Sequence, residues 1–213
     1  MDKKVILFDL DGTLTDSGEG ITKCVKLALD RFGIPVESLD ALRYFVGPPL
    51  RDSFLKAGVP EDRIEEAIAI YRSRYTNVGI FENVPYPGIR ELLERLIGKG
   101  FRLFVATSKP EEMAVRVLKK FELSQYFEKI CGATLDKSRD SKSAVIAYLL
   151  ESCGQPERAV MVGDTAFDVI GAAEHGIPTI GVSWGYGSVE EMKYAGAVSI
   201  AHTMEELLFL LEQ

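Results

Sequence analysis

Apolar residues are arranged along this chain in two alternating patterns. VILF at 5–8 is an unbroken apolar run that ends on Asp9, and comparable runs lie within FRLFVATS (101–108), AVMVGD (159–164) and TIGVSWG (179–185). Short apolar runs bounded by polar and glycine residues predict strands buried on both faces. Helical periodicity fills the intervals. GIRELLERLIGKG places Ile89, Leu92, Leu93 and Leu96 on one face and stops at Gly98 and Gly100. PEEMAVRVLKKFEL opens with Pro110 and a glutamate pair, a favourable helix start. SKSAVIAYLLESCG and TAFDVIGAAEHG repeat the theme, and shorter strands are expected at 129–132 and 197–200. Strands alternating with helices predict an α/β fold, a parallel sheet with right-handed crossovers.

Residues 16–81 break that rhythm. GEGITKCVKLALDRFG, LRDSFLKAG and EDRIEEAIAIYRSRYTNV are helical patterns with no convincing strand between them. The expectation is a small helical domain over 16–81, inserted after the first strand of a core made of 1–15 and 82–213. FENVPYPG, with two prolines, serves as the return linker.

Composition narrows the class. The chain has 213 residues, 46% hydrophobic and 27% charged, enough to bury a core without disulfides or structural metal. A net charge of −7 argues against a nucleic-acid polymer or an anionic membrane as partner. Cys24, Cys131 and Cys153 are far apart, with no C-x-x-C spacing, and fit reduced thiols of a cytoplasmic protein. The first apolar run stops after four residues, too soon for a signal peptide. A small soluble partner is expected, and a monomer or homodimer.

Ligands of an open parallel sheet bind beyond the carboxyl ends of its strands. The first strand delivers Asp9, Asp11, Gly12 and Thr13 there; the second, Thr107, Ser108 and Lys109; a later one, Gly163, Asp164 and, a helical turn on, Asp168. LDKSRDSKSAVI adds Lys137, Arg139 and Lys142 ahead of a helix. Carboxylates suit a hard cation such as Mg²⁺. Hydroxyls, a lysine and free backbone N–H groups suit a phosphate. A calcium loop is the rival for DLDGTLTDSGEG, but its sixth and twelfth positions are Leu14 and Gly20 rather than glycine and glutamate.

DLDGTLTDS, the ATS at 106–108, Lys142 and GDTAFD, in that order, resemble the four motifs of the haloacid dehalogenase superfamily. The likeness spans essentially the whole chain. It implies a Rossmann-like parallel-sheet core with an all-helical cap inserted after the first strand, and a Mg²⁺-dependent phosphatase working through an aspartyl-phosphate. Asp9 would be the nucleophile and Asp11 the general acid and base. Asp9, the backbone carbonyl of Asp11, Asp164 and Asp168 would hold the metal. Gly12, Thr107, Ser108 and Lys142 would hold the phosphoryl group. LDKSRDSK departs from the usual pattern before the motif lysine and leaves Lys137 as a rival; Lys142 is preferred because it opens a helix.

Discrimination between esters is expected from the cap. YFVGPPLRDSF, with Arg43 just before it, resembles the specificity loop of the phosphoglycolate phosphatase-like group, which makes Arg43, Gly47, Pro48 and Arg51 candidate substrate contacts. WGYGS at 184–188 strengthens that likeness. The expected substrate is accordingly phosphoglycolate-like, with a 5′-nucleotide or pyrophosphate as alternatives. Ile21 stands where a β-phosphoglucomutase carries a cap histidine, which argues against a mutase. A non-catalytic receiver-like switch is the competing class; it needs neither the D-x-D spacing nor the helical insert.

Overall fold

A computed structural model describes residues 4–136, 138–154 and 158–213. Its elements run β1 (Val5–Phe8), β2 (Thr15–Asp16), α1 (Gly18–Arg31), α2 (Leu50–Lys56), α3 (Ile64–Tyr75), β3 (Val84–Pro85), α4 (Ile89–Gly98), β4 (Arg102–Pro110) and α5 (Glu111–Lys120). They continue with β5 (Lys129–Ala133), α6 (Lys142–Cys153), β6 (Ala159–Gly163), α7 (Ala166–Ala173), β7 (Thr179–Val182), α8 (Val189–Tyr194), β8 (Ser199–Ala201) and α9 (Met204–Leu211). Six strands form one parallel sheet in the order β5-β4-β1-β6-β7-β8. β1 sits near the middle, between β4 and β6, with Phe8 level with Val105 and Val162.

That central place explains the unbroken apolar run. Successive side chains of a strand point to opposite faces. Ile6 and Phe8 join the cluster that includes Leu92, Leu93, Val117 and Leu207, from α4, α5 and α9. Val5 and Leu7 join Val145, Leu149 and Ala172, from α6 and α7, on the other face. Helices cover both faces, so β1 has no polar side. The expected Rossmann-like core with an inserted helical cap is therefore the observed architecture.

In the cap, α1 packs on α3, and α2 on α3. Phe45 and Phe54 meet edge to face with ring centres 5.1 Å apart. Two features of the linkers are absent from the sequence reading. β2 and β3 pair antiparallel, Thr15 with Pro85 and Asp16 with Val84, tying outgoing and returning chain together. Beside them Arg74 of α3 clasps Glu82 with two hydrogen bonds of 2.6 and 2.9 Å, and Lys23 adds a third of 3.0 Å.

Arg74 and Lys23 outweigh partial burial and hold the Glu82 carboxyl down to about 2. The stabilisation from Glu82 is thus complete above its ordinary value of 4.5 and fades as pH falls toward 2. Glu82→Gln is expected to cost about 1–2 kcal/mol at neutral pH, allowing for solvent screening. Urea unfolding should show that gap closing on acidification; a gap unchanged by acid would exclude the charge as its source.

Candidate active site

Strand β1 releases Asp9 and Asp11 at its carboxyl end, the Asp9 N–H still bonding to Val162 O at 2.9 Å. Asp164 follows β6, and Asp168 lies in the first turn of α7. Lys142 is the first residue of α6, after an N-cap in which Ser141 accepts from the Ala144 N–H. Its ammonium donates to Asp9 Oδ1 at 2.7 Å and Ala106 O at 2.9 Å, and lies 2.8 Å from Asp168 Oδ1. The other Asp168 oxygen accepts from the Thr165 N–H and hydroxyl at 3.0 and 2.9 Å. Asp168 therefore serves as a helix-start cap through one oxygen and as a site carboxylate through the other.

Electrostatics gives the cluster its character. Burial raises the Asp9 carboxyl to about 6; Lys142 opposes this, and Asp168 and Asp11 reinforce it. Burial, with Asp168 and Asp9 nearby, also raises the Asp164 carboxyl well above its ordinary value. For Lys142, burial works against the charge, but Asp168 and Asp9 outweigh it and hold the ammonium above its ordinary value. Asp9, Asp164 and Asp168 each offer an oxygen, all within 4.8 Å of one another and all buried. Oxygen-only donors, with more carboxylates than the one lysine neutralises, fit a hard divalent cation.

Asp164 is held from three sides. The Thr13 hydroxyl donates to Oδ1 at 3.2 Å and the Tyr186 N–H to Oδ2 at 2.8 Å. Gly12 packs directly over it: at φ +89° a Cβ there would lie 2.2 Å from Asp164 Oδ2. This gives the glycine a structural reason that the motif did not show. The Gly12 N–H donates to Thr15 O at 2.8 Å, and the missing Cβ permits the close approach of Asp164.

Thr107 is buried on β4, its hydroxyl accepting from the Lys109 N–H at 3.2 Å, and Ser108 beside it is half-buried. Lys109 itself reaches Asp11, with 2.8 and 2.7 Å bonds to the two carboxylate oxygens. The sequence placed Lys109 at the right strand end but gave it no role. Lys137, the rival to Lys142, lies outside the described residues.

The cap residues divide. Gly47, at φ +99°, brings its loop onto the core, where a Cβ would sit 3.1 Å from Thr165 Cγ2, and Pro48 beside it is half-buried. The Arg43 guanidinium lies 5.3 Å from the centre of the Tyr186 ring. Arg51 does not join them. Its position on α2 turns it to an exposed pair with Glu61 at 3.0 Å. A cavity of about 300 Å³ opens beside the linkers, bounded by Asp16, Arg43 and Asn83 among others, but none of the clustered carboxylates lines it.

Tyr186, within WGYGS, joins cap to core. Its hydroxyl donates to Asp16 and accepts from the Gly18 N–H at 2.7 Å, while its own N–H holds Asp164. Tyr186→Phe keeps the ring under Arg43 and the backbone bond to Asp164. Losing hydrogen bonds to a charged partner should raise KM about tenfold with kcat little changed. Steady-state kinetics checks this, alongside a calorimetric Mg²⁺ titration expected to match the unaltered protein. Weakened metal binding would place the hydroxyl's effect at Asp164 instead of the cap.

Comparison with known proteins agrees with this geometry. The family model described as haloacid dehalogenase-like hydrolase matches residues 6–182. A 5′-nucleotidase of Pseudomonas aeruginosa is 45% identical over 88% of this chain and 86% of its own. Tyrosine-protein kinase PtkA of Mycobacterium tuberculosis is 44% identical over 96% of this chain and 71% of its own. A phosphoglycolate phosphatase of Aquifex aeolicus is 34% identical over 86% of each. The crystal structure of a predicted phosphatase from Clostridium acetobutylicum superposes with a TM-score of 0.95 at 46% identity, covering both chains fully. The chain belongs to the haloacid dehalogenase-like hydrolases and is a phosphoric monoester hydrolase of that family.

Proposed function

We propose that this chain is a Mg²⁺-dependent phosphatase acting on a nucleoside 5′-monophosphate through an aspartyl-phosphate at Asp9. The observation that carries the phosphatase reading is the buried trio Asp9, Asp164 and Asp168, with Lys142 set between Asp9 and Asp168. For the substrate, the relative named 5′-nucleotidase is closer in identity than the one named phosphoglycolate phosphatase. This favours the nucleotide alternative over the phosphoglycolate expectation drawn from the cap loop.

In this reading the Asp9 carboxylate attacks phosphorus as the bond to the leaving oxygen breaks. Asp11 gives that oxygen a proton. Asp11 then takes a proton from the water that attacks phosphorus, the Asp9–phosphorus bond breaks, and inorganic phosphate leaves. Lys142 and Thr107, with Ser108, hold the phosphoryl oxygens and stabilise charge by position. Asp9, Asp164, Asp168 and the Asp11 carbonyl would hold Mg²⁺, which when bound supplies further charge neutralisation at those oxygens. Residues 16–81 act as a cap whose Arg43 and Gly47-Pro48 turn face the leaving group.

A panel of nucleoside 5′-monophosphates, 2-phosphoglycolate, pyrophosphate and phosphotyrosine, each with Mg²⁺ or EDTA, tests the reading. The highest kcat/KM is expected for a nucleoside 5′-monophosphate, with no turnover in EDTA. A higher value for any other ester reassigns the substrate. A stable aspartyl-phosphate with no turnover would point to a switch.

A further inference from the structure

We infer that Lys109 is a positioning residue for Asp11, and that Tyr75 makes its hold depend on the cap being closed. The inference rests on the phosphatase reading above, in which Asp11 is the acid and base. Lys109 is buried, and its ammonium spends two of its three N–H donors on the two Asp11 oxygens at 2.8 and 2.7 Å. The third goes to the hydroxyl of Tyr75. Tyr75 is the last residue of α3 and belongs to the cap; Lys109 and Asp11 belong to the core. The Tyr75 ring stacks on Tyr71 with centres 4.9 Å apart, which fixes the direction of its hydroxyl. Burial, with Asp11 and Cys24 nearby, keeps the Tyr75 phenol well above its ordinary range, so it stays neutral and can accept from the ammonium.

The arrangement separates two lysines by task. Lys142 sits between Asp9 and Asp168, where the phosphoryl group is to be held. Lys109 has no N–H left for a phosphate. Stability alone is a poor reason for a buried ion pair, since an apolar pair of similar volume often serves as well. A closed cap gives the ammonium a second anchor, so closure and the placement of Asp11 become one event. When α3 moves away, Lys109 keeps only Asp11, and the acid loses its reference point. During ester cleavage Lys109 is unchanged. For this step Asp11 carries a proton on one oxygen and keeps the other on Lys109; that proton passes to the leaving oxygen as the Asp9–phosphorus bond forms and the bond from phosphorus to the leaving oxygen breaks.

Leaving-group dependence distinguishes this role from a structural one. p-Nitrophenolate leaves readily without a proton, whereas an alkoxide does not. Lys109→Met is expected to lower kcat/KM for a nucleoside 5′-monophosphate about 100-fold, and for p-nitrophenyl phosphate by less than about tenfold. Lys109→Arg should recover part of the loss on the alkyl ester. Tyr75→Phe, which leaves the ion pair intact, should lower the alkyl ester alone, by about threefold to tenfold. It also carries the comparison if Lys109→Met does not fold. Equal losses on both esters, or no loss on either, would overturn the inference. An unaltered protein that hydrolyses neither ester would instead refute the phosphatase reading.

Discussion

Asp9→Asn is expected to lose turnover of every phosphate ester by at least about 10⁴-fold while keeping its fold. Asparagine has nearly the shape of aspartate, and its oxygen can still accept from Lys142. That lysine also keeps Asp168 and the Ala106 carbonyl. What disappears is the carboxylate that, in the proposed mechanism, attacks phosphorus, and with it any phosphoenzyme. Stability should not fall in parallel, because burial already disfavours the charge on Asp9. Steady-state kinetics and urea unfolding on the same preparation separate the two effects. A rate within tenfold of the unaltered protein would remove Asp9 from the chemistry.

Lys142→Met is expected to have the largest effect on stability. It leaves the Asp9 and Asp168 carboxylates buried without the ammonium that lies 2.7 and 2.8 Å from them. Breaking a buried pair from one side costs about 3–5 kcal/mol. Turnover should also fall, by about 10²–10³-fold, through lost charge stabilisation. A divalent cation can replace part of the missing charge. Mg²⁺ should therefore raise the Tm of the variant more than that of the unaltered protein, and sodium at equal ionic strength should not. Thermal melts in the two salts check this. A variant as stable as its parent would contradict the electrostatic account of the cluster.

Much of the core was legible in the sequence because burial on both faces leaves a direct mark. VILF is apolar throughout since Ile6 and Phe8 meet one helical layer and Val5 and Leu7 the other. The β2–β3 pair left no such mark: two residues per strand carry no periodicity. At the site, strand ends located Asp9, Asp11, Thr107, Lys109 and Asp164, because a parallel sheet aligns them. The partnership of Lys109 with Asp11 spans 98 positions and depends on side-chain reach, which spacing does not encode. Arg51 shows the converse. Its place beside the Gly-Pro-Pro turn suggested a substrate contact, and spacing did not show that α2 sets it against Glu61. Gly12 was conspicuous in the motif, yet the reason for a glycine, the Asp164 carboxylate packed against it, needs the fold.

In the proposed mechanism Asp9 carries the phosphoryl group between two steps. Rapid acid quenching during turnover of a radiolabelled phosphate ester with Mg²⁺, followed by peptide mapping, tests it most directly. Labelled protein is expected to rise and decay within the turnover, with the label on the peptide containing Asp9 and none in Asp9→Asn. Turnover with no labelled protein at any time, or label on a peptide without Asp9, would contradict it.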